Sequence, residues 1–392
     1  MSMTVMKAKT IIVSPDRVLT PGIMIIEDGK IKSIGMSTKY PETAEVVDAG
    51  EYEIYPGFID ASSHLGINKE PFNYMEDTWD GCDLGAAMQP QLTTADGFDP
   101  FSQAIERARA VGITTAYAAA GHGVIIDGQG IAFKLRKSET ADEMFLPGTQ
   151  QLHLCVGDYP LMGFKQKGQP PMTRMALMDM LYSELCRVKD VVESGEKPAD
   201  PKTVVLAKAL KREIKVRVYV LAAQDIPPAV KLCEEFGLDY ILDGLYEAWK
   251  LPEFWTAHAQ TVLLNGVPFG PMQNSMAAKY DMSMECFSVL EEAGCDIVLT
   301  ADGVTTTRML PYMAGFAMGH GLSEKHALAS ITTLPAELLG LSEHIGTLEE
   351  GKDADFSIYT GNALLSTSKC VATYVDGKQV YADAEFGGRK HE

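Results

Sequence analysis

The residues best suited to chemistry lie at the end of one apolar stretch, Tyr55-Pro-Gly-Phe-Ile-Asp-Ala-Ser-Ser-His-Leu-Gly66. Its composition is typical of a buried strand that begins after Pro56-Gly57. Because side chains alternate across a strand, we expect Asp60, Ser62 and His64 to share one face. Two histidines spaced i and i+2 on such a face would give two ligands to a metal ion. The first of these positions holds Ser62, so the strand offers one imidazole.

Asp302 is the second residue whose position suits catalysis. It follows the apolar run Asp296-Ile-Val-Leu-Thr300, and a carboxylate at a strand end is suited to act as a general base or a metal ligand. An aspartate before Gly303 is also typical of a turn or a helix cap. His64 likewise has two interpretations: a ligand or acid, or a buried imidazole that hydrogen-bonds Ser62 or Asp302. We therefore predict His64 and Asp302 as the catalytic residues and as metal ligands that bind a metal weakly or not at all.

Four further side chains are predicted to contact a small-molecule substrate or ligand: Asp158, His122, Gln129 and Tyr219. The first three lie in predicted loops after strands, where binding residues concentrate. His122 lies between two glycines, which predicts exposure and backbone freedom. Tyr219 lies on a predicted strand, where its hydroxyl is suited to donate to a ligand but its ring is also typical of a core.

The order of the predicted elements determines how these residues would meet. From residue 56 onward, strand-like runs alternate with segments of helical spacing such as 100–110, 172–194, 202–212 and 226–236. The strand-like runs are 56–61, 113–119, 131–135, 151–156, 214–221, 239–242, 261–266 and 296–300. Eight strands alternating with helices predict an α/β fold, a TIM-like (β/α)8 barrel whose reaction centre lies at the carboxyl ends of the strands.

The two ends of the chain predict an all-β unit. Short β-rich runs occur before residue 56 and after residue 341, with hairpin signals at Asp28-Gly29 and Asp376-Gly377. We therefore predict a barrel domain over residues 56–341, inserted in a small β-sandwich domain that residues 1–55 and 342–392 form together. Two irregular stretches, 66–99 and 157–172, follow barrel strands and are expected to be lids or surface insertions.

The composition excludes several classes of partner. Of 392 residues, 46% are hydrophobic and 22% are charged, and the net charge is −19. Nucleic acids and anionic membranes both require a basic surface, so we expect neither as a partner. The seven cysteines form no C-x-x-C pair, and the sequence shows no signal-peptide pattern and no apolar run of about 18 residues. These features predict a cytoplasmic protein, with a homodimer as the default assembly.

Four motifs together resemble the amidohydrolases, in particular the imidazolonepropionase-like group of metal-dependent hydrolases. They are Pro56-Gly-Phe-Ile-Asp-Ala-Ser-Ser-His-Leu-Gly66, Gly128-Gln-Gly130, Leu334-Pro-Ala-Glu-Leu-Leu-Gly-Leu341, and Ile345-Gly-Thr-Leu-Glu-Glu-Gly-Lys-Asp-Ala-Asp355 followed by Val375-Asp-Gly-Lys378. With Ile25-Ile-Glu-Asp-Gly-Lys-Ile31, the resemblance covers nearly the whole chain. It implies the same fold, a barrel with a β-sandwich built from both chain ends.

The resemblance also implies a metal site, from which this sequence departs. The family pattern has two histidines on strand one, a carboxylate or modified lysine on strand four, one histidine each on strands five and six, and an aspartate on strand eight. Only His64 and Asp302 match it, with Asp158 as the carboxylate after strand four. Strand five contains no histidine, and the histidine position of strand six falls on Gly244. We therefore expect a degraded site that binds one divalent metal ion or none.

Two functional hypotheses follow. By resemblance, the chain is a hydrolase of C–N bonds in a cyclic amide or amidine, with Asp302 as base and His64 as ligand or acid. The alternative is a catalytically inactive homologue that binds a small molecule or a protein partner in the same pocket. The missing imidazoles favour the second hypothesis, and the retained His64 and Asp302 favour the first.

Overall fold

Two eight-stranded sheets form the framework of the protein. The computed structural model describes residues 3–70, 80–265 and 280–387. The strands are β1 (Met3–Ser14), β2 (Arg17–Leu19), β3 (Gly22–Glu27), β4 (Lys30–Gly35), β5 (Glu45–Pro56), β6 (Phe58–Ser63), β7 (Ile113–Ala118), β8 (Ile126–Lys134), β9 (Gln151–Cys155), β10 (Lys215–Val220), β11 (Tyr240–Gly244), β12 (Thr261–Asn265), β13 (Asp296–Thr300), β14 (Phe356–Tyr359), β15 (Cys370–Val375) and β16 (Lys378–Ala382). One sheet contains strands from both ends of the chain, and the other contains the strands between them.

Strands from both chain ends pair in the first sheet. Their order is β16-β15-β14-β5-β1-β3-β4, with β2 paired to β1. Asp28-Gly29 joins β3 to β4, and Asp376-Gly377 joins β15 to β16. All four of these turn residues have positive φ, as a two-residue type I′ turn requires. Both predicted hairpins are therefore confirmed, and the sheet has its own apolar core around Met6, Ile54 and Phe356.

The second sheet contains all eight strands predicted for the barrel, in the order β6 to β13. Its seam is nearly closed. The N–H of Asp302 donates to the carbonyl of Ser62 at 3.1 Å, and the carbonyls of Ser330 and Ile331 accept from the N–H groups of Leu299 and Ile59. The carboxyl ends of the parallel strands consequently meet around one mouth.

Strict alternation of strand and helix, however, is wrong at the third strand. β8 runs antiparallel to both β7 and β9, whereas the other neighbouring strands are parallel. Only seven residues, 119–125, join β7 to β8, and they contain no helix. A parallel crossover needs about a dozen residues or more, so this short connection forces the reversal.

Helices pack around the second sheet. Their bounds are α1 (Gln103–Arg109), α2 (Asp158–Lys167), α3 (Arg174–Ser194), α4 (Pro201–Leu210), α5 (Ile226–Glu235), α6 (Pro252–Ala257), α7 (Glu285–Glu292), α8 (Leu310–Met318), α9 (Glu324–Ala329), α10 (Thr333–Leu338) and α11 (Ala384–Gly387), the last beside β15. The four predicted helical segments correspond to α1, α3, α4 and α5. Within the described ranges, no helix is long and apolar enough to cross a membrane.

The prediction of an irregular stretch at 157–172 is wrong, because α2 occupies most of it. Gly157 precedes the helix with a φ of 103°, and Gly168 ends it with a left-handed φ of 64°. The irregular stretch 66–99 holds where it is described, apart from a single 3-10 turn at Thr94–Gly97, and residues 71–79 lie outside the described residues.

For Gly315→Ala, helix propensity predicts a gain in stability, whereas the packing seen in the structure predicts a loss. Helix propensity alone predicts that Gly315→Ala stabilises α8 by about 1 kcal/mol. A Cβ at this position would lie 1.7 Å from the carbonyl oxygen of Leu364, which is backbone and cannot rotate away. We therefore expect Gly315→Ala to destabilise the protein by about 3 kcal/mol in urea unfolding. Gly319→Ala is the control, because its nearest neighbour lies at 3.3 Å, and equal stability of both variants would contradict the prediction.

Candidate functional site

Three potential metal ligands converge at the mouth of the barrel. His64 follows β6, His122 lies between β7 and β8, and Asp302 follows β13. Nε2 of His122 lies 3.1 Å from Oδ1 of Asp302, and Nε2 of His64 lies 3.8 Å from the same oxygen. One ligand atom from each residue lies within 4.8 Å of the other two. The structure thus brings both predicted ligands together and adds His122, which the sequence placed among the substrate contacts.

The ring of His64 is oriented by its other nitrogen. Nδ1 lies 3.1 Å from the carbonyl oxygen of Ala119, which can only accept a hydrogen bond. Nδ1 therefore carries the proton and Nε2 points its lone pair toward Asp302. Burial lowers the pKa of His64, although the charge of Asp302 opposes this shift. His64 is consequently a neutral imidazole with an available nitrogen, the form that binds metal.

His122 is held by packing on both sides of its loop. Its ring stacks on the ring of Tyr219, with centroids 3.6 Å apart and planes at 4°. A Cβ at Gly123 would lie 2.7 Å from the sulfur of Cys82, and one at Gly121 would lie 2.7 Å from the Cβ of Cys82. The glycines are therefore required by close packing. The predicted exposure of His122 is wrong, because the side chain is buried.

The backbone around Asp302 fixes the direction of its side chain. Asp302 has a φ of 45°, which is uncommon outside glycine. Its N–H donates to the carbonyl of Ser62, while the carboxylate of Asp60 accepts from the N–H groups of Ser62 at 3.2 Å and Ala301 at 3.3 Å. Burial raises the pKa of Asp60 to about 7, although these two hydrogen bonds oppose the shift. Ser62, which supplies no imidazole, thus still positions Asp302 through its backbone.

Tyr219 and Leu221 lie beside the carboxyl ends of β10 and β11. Tyr219 is buried and donates its hydroxyl to Oδ2 of Asp302 at 3.3 Å. A Cβ at Gly244 would lie 2.6 Å from Cδ2 of Leu221, so Leu221 fills the space beside that glycine. An aromatic ring and an aliphatic side chain therefore occupy this part of the barrel mouth.

A buried charge network beneath the cluster was missed by the sequence patterns. Asp243 on β11 is fully buried, and its Oδ2 lies 3.4 Å from Oγ of Ser62. Burial and the charge of Asp302 raise the pKa of Asp243. Arg217 on β10 is also buried and lies below Tyr219, two residues away. Strand alternation was the available signal, because Arg217 shares a face with Tyr219, and Asp243 lies opposite Tyr219 in register.

Two of the predicted pocket residues have partners elsewhere. Asp158 begins α2, and its Oδ2 accepts from Nη2 of Arg174 at 2.8 Å. Nε of the same arginine donates to Asp225 at 2.8 Å. Gln129 lies on β8 rather than in a loop, and its amide donates to the carbonyl of Pro90 at 3.1 Å. Neither side chain joins the His64, His122 and Asp302 cluster, and a role for them in substrate binding stays a prediction.

The cluster fits one metal ion with an open position. Two imidazole nitrogens and one carboxylate oxygen are a ligand set of catalytic zinc sites, in which water takes the fourth position. The Nδ1 hydrogen bond of His64 to Ala119 is the outer contact that metal-bound imidazoles usually make. His122 would therefore be the third ligand, a place that the sequence analysis gave to Asp158.

Comparisons with known proteins find similarity to amidohydrolases. The model of the Amidohydrolase family matches residues 295–381. The amidohydrolase tasK of Hapsidospora irregularis is 21% identical over 94% of this chain, which spans only 41% of that protein. Imidazolonepropionases of Streptomyces avermitilis and Symbiobacterium thermophilum are 25% and 26% identical, over 88% and 87% of this chain and 82% and 84% of theirs. The crystal structure of an amidohydrolase from Thermotoga maritima MSB8 is 28% identical, with a TM-score of 0.89, and the match covers 97% of this chain and 100% of that one.

Proposed function

The chain belongs to the amidohydrolase superfamily, in its imidazolonepropionase-like group, and on that premise we propose that it hydrolyses a C–N bond in a cyclic amide or amidine. The observation that carries the proposal is the convergence of His64, His122 and Asp302 at the strand ends. These three side chains are the proposed ligands of a single divalent metal ion. A small-molecule substrate would enter at the mouth of the barrel.

The residues of the site have distinct proposed tasks. A divalent ion held there would lower the pKa of a coordinated water and polarise the scissile carbonyl or amidine. His64 presents an unprotonated Nε2, whereas Nε2 of His122 donates to Oδ1 of Asp302 and would release its proton when it binds the metal. Oδ2 of Asp302 would accept the proton of the attacking water and return it to the leaving nitrogen. The hydroxyl of Tyr219, at 3.3 Å, holds that oxygen in place.

Metal titration tests this proposal directly. We expect one Zn²⁺ per chain in isothermal titration calorimetry, and a loss of about 100-fold or more in affinity in His122→Ala, because the variant lacks a ligand. His258→Ala is the matched control, since His258 ends α6 and contacts the carbonyl of Phe254 instead of the cluster. Protein that binds no Zn²⁺, or binds it equally tightly in His122→Ala, would overturn the proposal.

Zinc affinity should keep rising with pH beyond the pKa of an ordinary histidine. Burial lowers the pKa of His122, but the charge and hydrogen bond of Asp302 outweigh burial and the net shift is upward. Below this raised pKa, a metal must displace the proton, so affinity falls by about tenfold per pH unit. Titrations in two buffers of different ionisation enthalpy should show release of about one proton there. Above it, the release should vanish, and release that does not change with pH would contradict the assignment.

Protonation of His122 weakens zinc binding but stabilises the metal-free protein. A group with a raised folded pKa contributes stability that is complete below its unfolded pKa and is lost as pH rises through the folded value. The pair of His122 and Asp302 should therefore stabilise metal-free protein most at acidic pH.

One observation favours the inactive alternative. Tyr219 and Leu221 are both buried at the strand ends, and Tyr219 contacts His122 and Asp302 at once. These contacts already satisfy both side chains without a metal ion. A protein that binds a small molecule but no zinc would support this second function.

Several broader features remain proposals beside the activity. We propose that the second sheet is a (β/α)8 barrel with one reversed strand. Residues 56–341 would form this domain, and residues 1–55 with 342–392 would form the sandwich domain. The homodimer stays a prediction of the sequence.

A further inference from the structure

The mouth of the barrel is divided into two halves of different chemistry. The ligand half contains His64, His122 and Asp302, which come from the region of β6, β7, β8 and β13. The tyrosine half contains four tyrosines: Tyr159 after β9, Tyr219 on β10, Tyr246 after β11, and Tyr280, which precedes α7. The first three lie at strand ends that share the mouth with the ligands, and Tyr280 packs in the same cluster.

The tyrosine rings meet at near right angles. The rings of Tyr159 and Tyr219 have centroids 5.8 Å apart at 83°, and those of Tyr246 and Tyr280 have centroids 6.0 Å apart at 77°. Tyr159, Tyr246 and Tyr280 are half-buried, whereas Tyr219 is buried. Perpendicular aromatic rings form corners in which faces of partial negative charge surround a ligand, the arrangement that binds organic cations.

Negative charge lies directly beneath these rings. Tyr219 donates to Asp302, and Asp243 lies in register with Tyr219 on the next strand. The two nearby arginines already have partners: Arg217 lies over the ring of Tyr117 at 3.8 Å, and Arg174 pairs with two aspartates. Among the described residues, no lysine or arginine lies over a ring of the tyrosine half. A cationic group at the tyrosine half would meet ring faces beside the carboxylates of Asp302 and Asp243.

We propose that the tyrosine half binds an organic cation, so that the substrate carries an ammonium, guanidinium or amidinium group beside its scissile C–N bond. The assignment of a scissile bond rests on the proposed function. The recognition of the cation requires neither metal nor hydrolysis, because the rings and carboxylates belong to the chain. A net charge of −19 would also attract such a ligand over a longer range.

The test compares two molecules of the same shape and different charge. Choline and 3,3-dimethylbutan-1-ol differ by a quaternary nitrogen in place of a carbon. Isothermal titration calorimetry on chelator-treated protein, in which no metal neutralises Asp302, should show that choline binds about tenfold more tightly than the alcohol. n-Butylguanidinium is a second cationic probe of different shape.

Matched variants locate the binding site. Tyr246→Leu and Tyr280→Leu should each weaken choline binding by about tenfold, whereas Tyr246→Phe should retain it, because phenylalanine keeps a ring face. Tyr182→Leu, at an exposed tyrosine on α3, should leave binding unchanged. Circular dichroism identifies any variant that fails to fold. If one of the two leucine variants is unfolded, choline binding by the other tests the site.

The outcomes separate this proposal from the proposed function. Equal affinity for choline and its uncharged isostere, no binding of either cation, or unchanged binding in a folded leucine variant would overturn the cation site while zinc binding and hydrolysis stand. Conversely, if the protein binds the cation but takes up no zinc, the proposed cation site is supported and the proposed metal-dependent hydrolysis is rejected.

Discussion

Replacement of Asp302 by asparagine should abolish metal binding and hydrolysis together. Asparagine keeps the shape of the side chain but removes the charge that faces both imidazoles, at 3.1 Å from His122 and 3.8 Å from His64. It also removes the oxygen that would accept a proton from water. We expect a fall in kcat/KM of about 10³-fold or more, with Zn²⁺ affinity reduced in parallel.

Asp158→Asn is the matched control for this variant. Asp158 is also an aspartate after a barrel strand, but Arg174 holds its carboxylate in an ion pair. Its loss should leave zinc stoichiometry at one per chain and change the rate by less than about tenfold. If Asp302→Asn retains zinc and loses only the rate, Asp302 is a base without being a ligand. If it retains both, the proposed site is wrong.

Most of the framework could be predicted because it depends on local patterns. Asp28-Gly29 and Asp376-Gly377 determine their own turn geometry, and the apolar runs gave all eight strands of the second sheet. The reversal of β8 was not predicted, because strand direction depends on the length and path of a connection rather than on the composition of the strand. The seven-residue connection 119–125 was the available clue.

The site was harder to predict because its ligands meet through tertiary packing. His64 and Asp302 could be placed by their positions at strand ends. His122 lies 180 positions from its partner Asp302, in a loop that Cys82 and Tyr219 position, and no local pattern gives that geometry. Asp158 matched a family position, yet its contact with Arg174 draws it into an ion pair. Charge partners across the fold decide such cases, and a single sequence does not reveal them.

Lys134 should make the largest single contribution to stability among the charged residues that join the two sheets. It lies on β8 in the second sheet with its side chain 2% exposed. Its Nζ contacts carboxylates that follow or border strands of the first sheet, at 2.8 Å from Asp353 and 2.9 Å from Asp355, and it also contacts Asp376. Burial alone would lower the pKa of Lys134, but Asp355 and Asp376 outweigh it and raise the pKa. The ammonium is therefore charged at neutral pH and is the shared cation of three acidic groups.

We expect Lys134→Met to lower the free energy of unfolding by about 3–5 kcal/mol at pH 8, because methionine fills the space but leaves the buried carboxylate of Asp355 without a cation. Asp353 and Asp376 keep their ion pairs with Lys30 and Arg136. Lys189→Met, at an exposed i,i+4 ion pair, should change stability by less than about 1 kcal/mol. The double variant Lys134→Met with Asp355→Asn should recover part of the loss, since it removes the stranded charge.

The pH dependence tests whether charge, rather than packing, causes this loss. Burial raises the pKa of Asp355 to about 6 even with the ammonium of Lys134 opposing the shift, so removal of the lysine should raise it further. A carboxyl group whose folded pKa is raised loses stability as pH rises through that range, so the deficit of Lys134→Met should grow from pH 5 to pH 8. Wild-type Lys134 stays charged from pH 5 to pH 8, because this range lies below both its unfolded pKa of about 10.4 and its raised folded pKa. Its contribution to stability is therefore complete in this range and is lost only as pH rises through the folded pKa. A deficit measured by urea unfolding that is equal at pH 5 and pH 8 would show that lost packing, not the stranded carboxylate of Asp355, destabilises the variant.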